Sequence, residues 1–263
     1  MIKKYFVPET IEEAISLKNQ YKEAGRYLAG GTLLNLPLNK KKYETYIDLR
    51  KLNLDEINKN EKGNLEIGAC VTFQKLISSE IIPEQLKKAA MLMENRNIRN
   101  IATIGGNIVG GKTVGDLIPT LIVLEAMVKV YGEENLILVE EYILKKDERF
   151  IEKIIIEEKN IKKIYGVRAH SRTSDDLSLV GAAVTYNRDG EKIKDIKIAI
   201  GGVAPTVIRL KNIEKELEGN ILEKQLLTNL IRNSVEPLTD FRGSKEFKAY
   251  LAGELVAECF EIA

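Results

Sequence analysis

Two short segments carry the residue types from which a ligand site can be made. The run Asn100-Ile101-Ala102-Thr103-Ile104-Gly105-Gly106-Asn107-Ile108-Val109-Gly110-Gly111 puts four glycines into seven positions, next to stretches rich in apolar and β-branched residues. Glycine in an ordered element costs roughly 0.5–1 kcal/mol relative to alanine, so such a cluster needs a reason. One reason is a turn through positive φ; another is a neighbour pressing where a Cβ would clash. Successive N–H groups in such a turn converge into a nest that binds anions, phosphates above all. The earlier segment Leu28-Ala29-Gly30-Gly31-Thr32-Leu33-Leu34-Asn35 has the same form: apolar strand, paired glycine, hydroxyl. Two such loops can grip the two phosphates of one dinucleotide, whereas a plain tight turn is the alternative for each. Neither fits the Gly-x-Gly-x-x-Gly fingerprint or the P-loop pattern, so spacing alone suggests a phosphate-bearing ligand without identifying it.

The elements around these loops are legible. Thr10-Ile11-Glu12-Glu13 has the form of a capping box, and Ile11, Ala14, Ile15, Leu17 and Tyr21 follow a helical face, with Gly25 placed to stop it. Arg26 to Ala29 reads as a strand delivering the first loop, Tyr46 to Leu49 as a second, and Leu65 to Ala69 alternates as a third. Thr72 can cap a helix through Leu76, and Pro83 suits the first turn of another reaching about Met93. After the second loop, Asp116 opens an apolar helix to Ala126, and Met127 to Tyr131 and Phe150 to Ile156 return as strands. The charged stretch Glu157-Glu158-Lys159-Asn160 is turn-prone and marks a boundary. Beyond it, strands Leu177 to Tyr186 and Ile193 to Ile200 flank a hairpin signal at Asn187-Arg188-Asp189-Gly190, and helices follow at Ile213 to Leu217, Leu222 to Asn233 and Ser244 to Val256.

Composition removes several classes of function. Forty basic against 39 acidic residues give a net charge of +1, without the basic excess of a nucleic-acid or membrane-surface binder. No apolar run approaches the roughly 20 residues that span a bilayer, and the start lacks the apolar core of a secretory signal, so a cytoplasmic protein is expected. Cys70 and Cys259 are the only cysteines and His170 the only histidine. An iron–sulfur cluster usually needs four thiolates, and no zinc or haem constellation is available, so redox chemistry would need an organic cofactor or a partner chain.

Taken in order along the chain, these motifs resemble the FAD-binding subunits or domains of the molybdenum hydroxylase family, which includes xanthine, carbon monoxide and nicotinate dehydrogenases. The two glycine segments resemble that family's pair of flavin-binding loops. Tyr5 to Pro8 with Thr10 to Ala14, Tyr46 to Leu49 before Ile67 to Thr72, and Asp116-Leu117-Ile118-Pro119 stand as in family members. Ile200-Gly201-Gly202-Val203-Ala204-Pro205 and Asp240-Phe241-Arg242-Gly243-Ser244 resemble hallmarks of its C-terminal domain. The resemblance implies an α+β chain: a two-lobed FAD-binding α/β domain of the PCMH type over residues 1–158, with lobes at about 1–55 and 56–158, then a smaller α+β domain of the CO dehydrogenase flavoprotein C-terminal type over 159–263.

It also implies sites and partners. Leu28, Ala29, Gly30, Gly31, Thr32, Leu33, Leu34 and Asn35 would wrap the pyrophosphate and one flavin edge. Thr103, Ile104, Gly105, Gly106 and Asn107 would form the second grip, with the Thr103 hydroxyl and Asn107 amide on phosphate oxygens. Asp116 would bond a ribose hydroxyl or the adenosine end, or cap the following helix; both roles can coexist. Arg172 and Asp176 belong to a segment that reaches toward the flavin in relatives, and a plain surface ion pair is the alternative. Leu177 or Leu179 could pack on the flavin ring or belong to the core. The run Gly110 to Gly115 departs from the small residues and proline of many relatives and suggests a more mobile loop. The expected activity is electron transfer: a partner with iron–sulfur clusters delivers electrons to FAD, a second partner with a molybdenum cofactor oxidises a heteroaromatic substrate such as a purine, and NAD or another acceptor collects the electrons. A self-contained flavin oxidase or reductase, and a non-enzymatic assembly subunit, are the competing readings.

Overall fold

The computed structural model describes residues 2–40, 42–114, 116–173 and 176–260. The first 48 residues form a parallel sheet of three strands, β1 (Lys4–Phe6), β2 (Gly25–Leu28) and β3 (Thr45–Asp48), in the order β1-β3-β2. The helix Ile11–Tyr21 crosses from β1 to β2. Thr10 caps it by accepting from the Glu13 N–H, while the Glu13 carboxylate reaches back to the Glu9 N–H, one residue beyond the ordinary capping box. Its inner face meets Ile47 and Leu49 in a small core with Leu52, Leu54 and Phe150. Gly25 does not stop this helix in a left-handed turn as expected. It is extended at φ −94° and begins β2, and the positive φ falls on Lys22. Glycine is needed at 25 because a Cβ there would lie 2.8 Å from the Tyr21 Cβ.

A second sheet is antiparallel and ordered β4-β5-β8-β6-β7, from β4 (Ile57–Lys59), β5 (Leu65–Gly68), β6 (Met127–Val130), β7 (Ile137–Leu138) and β8 (Ile151–Ile156). Helices Phe73–Ser78, Glu84–Met91, Ile104–Gly110 and Ile118–Val123 cover it and share its core. Thr72 caps the first of these as read, whereas Pro83 stands at the N-cap of the second rather than in its first turn. The charged stretch after β8 forms a single helical turn, Glu158–Ile161, with Asn160 buried.

The third sheet, β9 (Ile164–His170), β10 (Val180–Asp189), β11 (Lys192–Gly201) and β12 (Ile208–Arg209), is ordered β12-β11-β10-β9 and antiparallel. β10 begins three residues later than the sequence suggests, because residues 177–179 form a loop. Alternation along β10 divides its side chains between two cores. Ala182, Val184 and Tyr186 face a core closed by helices Lys224–Ser234 and Lys245–Cys259, while Ala183 joins the core of the second sheet. The helix Ile118–Val123 lies at this junction with all six residues buried. Its flanking polar atoms are satisfied across the junction: the Thr185 hydroxyl donates to the Val123 carbonyl at 2.9 Å, and the Thr120 and Tyr165 hydroxyls lie 2.6 Å apart.

A charged network reinforces the same seam. Buried Glu214 accepts from the Ile198 N–H at 2.8 Å and from Arg209 through both carboxylate oxygens. Glu125, just past the buried helix, lies 3.6 Å from both Lys197 and Arg209. Removing one partner from a buried pair leaves an uncompensated charge, so Glu214→Ala should lower stability by about 3 kcal/mol in urea unfolding. A loss under about 1 kcal/mol would place this pair with ordinary surface ion pairs.

Candidate functional site

β2 delivers the first glycine segment directly beside the chain that enters the second. A Cβ on Gly30 would lie 1.8 Å from the Ile101 carbonyl oxygen and 3.1 Å from the Ala102 Cα, so only glycine permits this approach. Gly31 turns through φ +71°. Beyond it the loop's carbonyls are held from within the protein. Gly31 accepts from the Asn35 N–H, Leu33 from the Asn39 side-chain amide at 2.8 Å, and Leu34 from the Tyr46 hydroxyl. The donors are not held: among the described residues, the N–H groups of Gly30, Gly31, Thr32, Leu33 and Leu34 find no protein acceptor. Buried or half-buried backbone donors are ordinarily satisfied, and five consecutive free ones make a surface of positive polarity.

The second segment is built differently from the nest its sequence suggested. Thr103 is the N-cap of the helix Ile104–Gly110, its hydroxyl accepting from the Gly106 N–H at 3.2 Å. The Ile104, Gly105 and Asn107 N–H groups donate to Val71, Ala69 and Thr103 carbonyls. Gly105 and Gly106 are therefore helical, with no positive φ and no free N–H, and this corrects the expectation. Gly105 is glycine because a Cβ would lie 2.7 Å from the Ala69 carbonyl; at Gly106 a Cβ would meet only the Thr103 hydroxyl, and the residue is exposed. What remains for a ligand is that open glycine surface, the Thr103 O–H proton and the Asn107 side chain. The Asn107 Oδ1 is buried and unpartnered. Ile104 is core, with no exposed surface. The two segments touch again where Leu33 packs on Gly110, 2.5 Å from the position of its absent Cβ.

Asp116 does not cap the helix that follows, whose N-cap is Leu117. Its Oδ1 is buried without a partner, and burial pushes its carboxyl up to about 7 from an ordinary 3.8. It lines a narrow cleft with Leu92, Val114, Pro119, Arg168 and Ser178, between the second and third sheets. Arg168 and Ser178 were not singled out from the sequence; a strand arginine and a loop serine carry no local signal. Arg172 and Asp176 bond each other at the surface, 2.7 Å apart, and the intervening residues 174 and 175 lie outside the described residues. Leu179 is core and Leu177 is exposed.

In the stretch before Asp116, Thr113 is tied to the third sheet. Thr113 bonds the turn Gly202–Ala204 of the third sheet through both its carbonyl and its hydroxyl. Gly115 in this loop lies outside the described residues. Neither cysteine is poised for chemistry, since burial raises the Cys70 thiol to about 12 and raises Cys259 as well. Among the described residues no cluster of histidine, cysteine, aspartate or glutamate could hold a metal ion, and no helix is long and apolar enough to cross a membrane. The arrangement offers free amide donors, an open glycine surface and unpartnered acceptors, which suits an anionic ligand bearing hydroxyl groups.

Residues 1–157 match the family described as the FAD binding domain in molybdopterin dehydrogenase, and residues 166–263 match the CO dehydrogenase flavoprotein C-terminal domain. The chain is 34% identical over 262 residues to the uncharacterized protein YgfM of Escherichia coli K12, covering 99% of this chain and 96% of that one. It is 28% identical to the putative xanthine dehydrogenase FAD-binding subunit XdhB of the same organism, over 94% of this chain and 91% of that one. Its fold superposes on a carbon monoxide dehydrogenase chain from Hydrogenophaga pseudoflava with a TM-score of 0.89 at 26% identity, covering 99% and 96% of the two chains. Free amide donors and unpartnered acceptors are what a dinucleotide cofactor requires, and with these matches the chain belongs to the FAD-binding flavoprotein family of the molybdopterin dehydrogenases.

Proposed function

We propose that the FAD pyrophosphate lies along the free N–H groups of Gly30 to Leu34 and against the open surface of Gly106. The Thr103 hydroxyl and the Asn107 side chain flank it, and the Asp116 carboxylate accepts from a hydroxyl of the ribose or adenosine end. The observation that carries this reading is the run of five backbone donors without protein acceptors, in a segment packed beside the chain of a helix whose own first-turn donors are all used. Leu28, Ala29 and Asn35 then serve by shaping the loop, and Ile104 and Gly105 by seating the helix. Arg172 and Asp176 form an entrance pair rather than a phosphate contact.

On this reading the chain is the flavin subunit of a molybdenum hydroxylase complex. FAD, when bound, supplies the exchange between one-electron and two-electron chemistry that joins iron–sulfur clusters to an acceptor such as NAD. The chain's own residues bind and orient the cofactor. The clusters belong to a partner chain, because two cysteines cannot assemble one, and the molybdenum cofactor belongs to another, because both matched family models are flavoprotein domains. We propose a purine as the complex's substrate, supported by the likeness to the xanthine dehydrogenase subunit. The isolated chain with FAD should oxidise NADH slowly with a dye acceptor and show no turnover of xanthine or hypoxanthine. Purine turnover by this chain alone would replace the subunit reading with that of a self-contained flavoenzyme.

Two substitutions separate binding from folding. Gly106→Val should abolish FAD binding, measured by flavin fluorescence, while the chain without FAD still folds, with a midpoint lowered only as far as its Cβ disturbs the Thr103 cap 2.8 Å away. Gly30→Ala should lower both, because its Cβ would drive two backbones apart. Retained FAD in Gly106→Val would remove the second segment from the phosphate site.

Asp116 gives a pH test with a definite sign. Its folded carboxyl titrates near 7 and its unfolded one near 3.8, so the folded chain without FAD holds the extra proton between those values. That contribution to stability is fully present below about 3.8 and is lost as pH rises through 7. Asp116→Asn should flatten this part of the stability profile. If bound FAD donates a hydrogen bond to the carboxylate, wild-type affinity should rise with pH through about 7 and that of Asp116→Asn should not. A pH-independent wild-type affinity would remove Asp116 from the hydroxyl site.

A further inference from the structure

Residue 113 lies three positions before Asp116, in the stretch linking the helix Ile104–Gly110 to the helix Ile118–Val123. It makes three hydrogen bonds to a segment some 90 residues away. The Gly202 N–H donates to the Thr113 carbonyl at 2.8 Å and to its hydroxyl oxygen at 3.2 Å, and that hydroxyl donates to the Ala204 carbonyl. The hydroxyl is thus acceptor and donor at once, and the side chain's polar capacity is engaged on one turn. The turn is shaped for this contact. A Cβ on Gly201 would lie 2.6 Å from the Thr113 carbonyl oxygen. Gly202 sits at φ +88°, where a Cβ would lie 2.1 Å from the Leu179 carbonyl oxygen.

The same turn bonds the stretch before Asp116 and packs closely against the Leu179 carbonyl. Ser178 lines the cleft that Asp116 lines. No other described residue between Gly111 and Asp116 bonds the third sheet. The Asp116 Oδ1 has no hydrogen-bond partner, and the only hydrogen bond acting on its carboxyl is to its own backbone, so its position depends on the chain on either side. On the far side that chain is the buried helix; on the near side it is Thr113.

We propose that Thr113 is a positioning residue of the flavin site: by clasping the Gly202–Ala204 turn it fixes the loop that presents Asp116, so that the C-terminal domain helps set the affinity for FAD. This rests on the reading of Asp116 as an FAD ligand. The clasp lies between two rigid sheets and adds little to the core, so losing one hydroxyl should loosen the loop without unfolding the chain.

The test uses the full chain and FAD titrations. Thr113→Val keeps the shape and removes the hydroxyl with its two hydrogen bonds, leaving the Gly202 N–H on the Thr113 carbonyl; it should weaken FAD binding at least about three- to tenfold, the range for a single hydrogen bond, while the urea midpoint without FAD stays within error. Thr113→Ser should restore wild-type affinity. Wild-type affinity in Thr113→Val overturns the proposal, as does a weakening that serine does not rescue. If Thr113→Val lowers the urea midpoint, Thr113→Ala with the serine rescue decides on the same criteria. Asp116→Ala is titrated alongside. Unchanged affinity in Asp116→Ala removes Asp116 as a ligand and with it the route by which Thr113 would act, whatever Thr113→Val does; weakened affinity in Asp116→Ala with wild-type affinity in Thr113→Val keeps the ligand and overturns the clasp alone.

Discussion

The candidate site depends on one steric constraint: two backbones pass each other at Gly30 and Ile101 with no room for a Cβ between them. That approach brings the first glycine loop, which ends a strand of the small parallel sheet, against the chain entering a helix of the antiparallel sheet. Without it the free amide donors of residues 30–34 would face solvent on one lobe, and the open surface of Gly106 would stand alone on the other. The two grips form one site because glycine at 30 lets the lobes close. Leu33 against Gly110 repeats the arrangement nearby, with a side chain filling the space that an absent Cβ leaves.

The two grips differ in how they can hold a charge. In the first, the protein satisfies the carbonyls and leaves the amides, so the polarity that remains is positive. In the second, the helix uses its own first-turn amides on Thr103 and on the Val71 and Ala69 carbonyls. A helix N-terminus attracts anions through unsatisfied N–H groups, and here those are absent. The second grip thus contributes by being flat and close at Gly106, and by the acceptor and donor atoms of Asn107 and Thr103. Such a division fits a pyrophosphate held on one side by amides and bounded on the other by a surface without side chains.

The sequence made much of this legible and misread part of it for a physical reason. Paired glycines identified both segments, and caps at Thr10 and Thr72 placed helix starts to the residue. Yet glycine reports only that a Cβ is excluded, not why. At Gly31 the cause is positive φ; at Gly30 and Gly105 it is a neighbouring carbonyl; at Gly25 it is a neighbouring side chain. One residue type with three causes cannot be resolved from local spacing, and the nest expected at Gly105 and Gly106 failed for that reason. Thr113 was not legible because its partners lie on another sheet, and Arg168 because its partners are the backbone of its own strand and Glu258 on the last helix. The glycine-rich run before Asp116 suggested mobility, but the contact that anchors it comes from Gly202, some 90 residues on.

The buried carboxylates show what kind of chemistry this chain does. Asp48 is held by Arg50 and Tyr5, and Glu214 by Arg209 and a backbone amide. These groups are matched, and matched charges fix structure instead of moving protons. Asp116 differs: it is half-buried, its Oδ1 is buried without a hydrogen-bond partner, and burial together with the Glu94 charge raises its carboxyl toward neutrality. An unmatched buried carboxyl destabilises a chain that holds nothing, and a ligand hydroxyl relieves that cost where a cation would not be needed. A general acid or base would need a second titratable group or an ordered path to a reacting atom. The titratable group that acts on Asp116 is Glu94, whose negative charge adds to burial in raising the carboxyl. On the proposed reading a ligand hydroxyl meets the unpartnered Oδ1, and the chain's residues hold and orient a cofactor that brings its own reactivity.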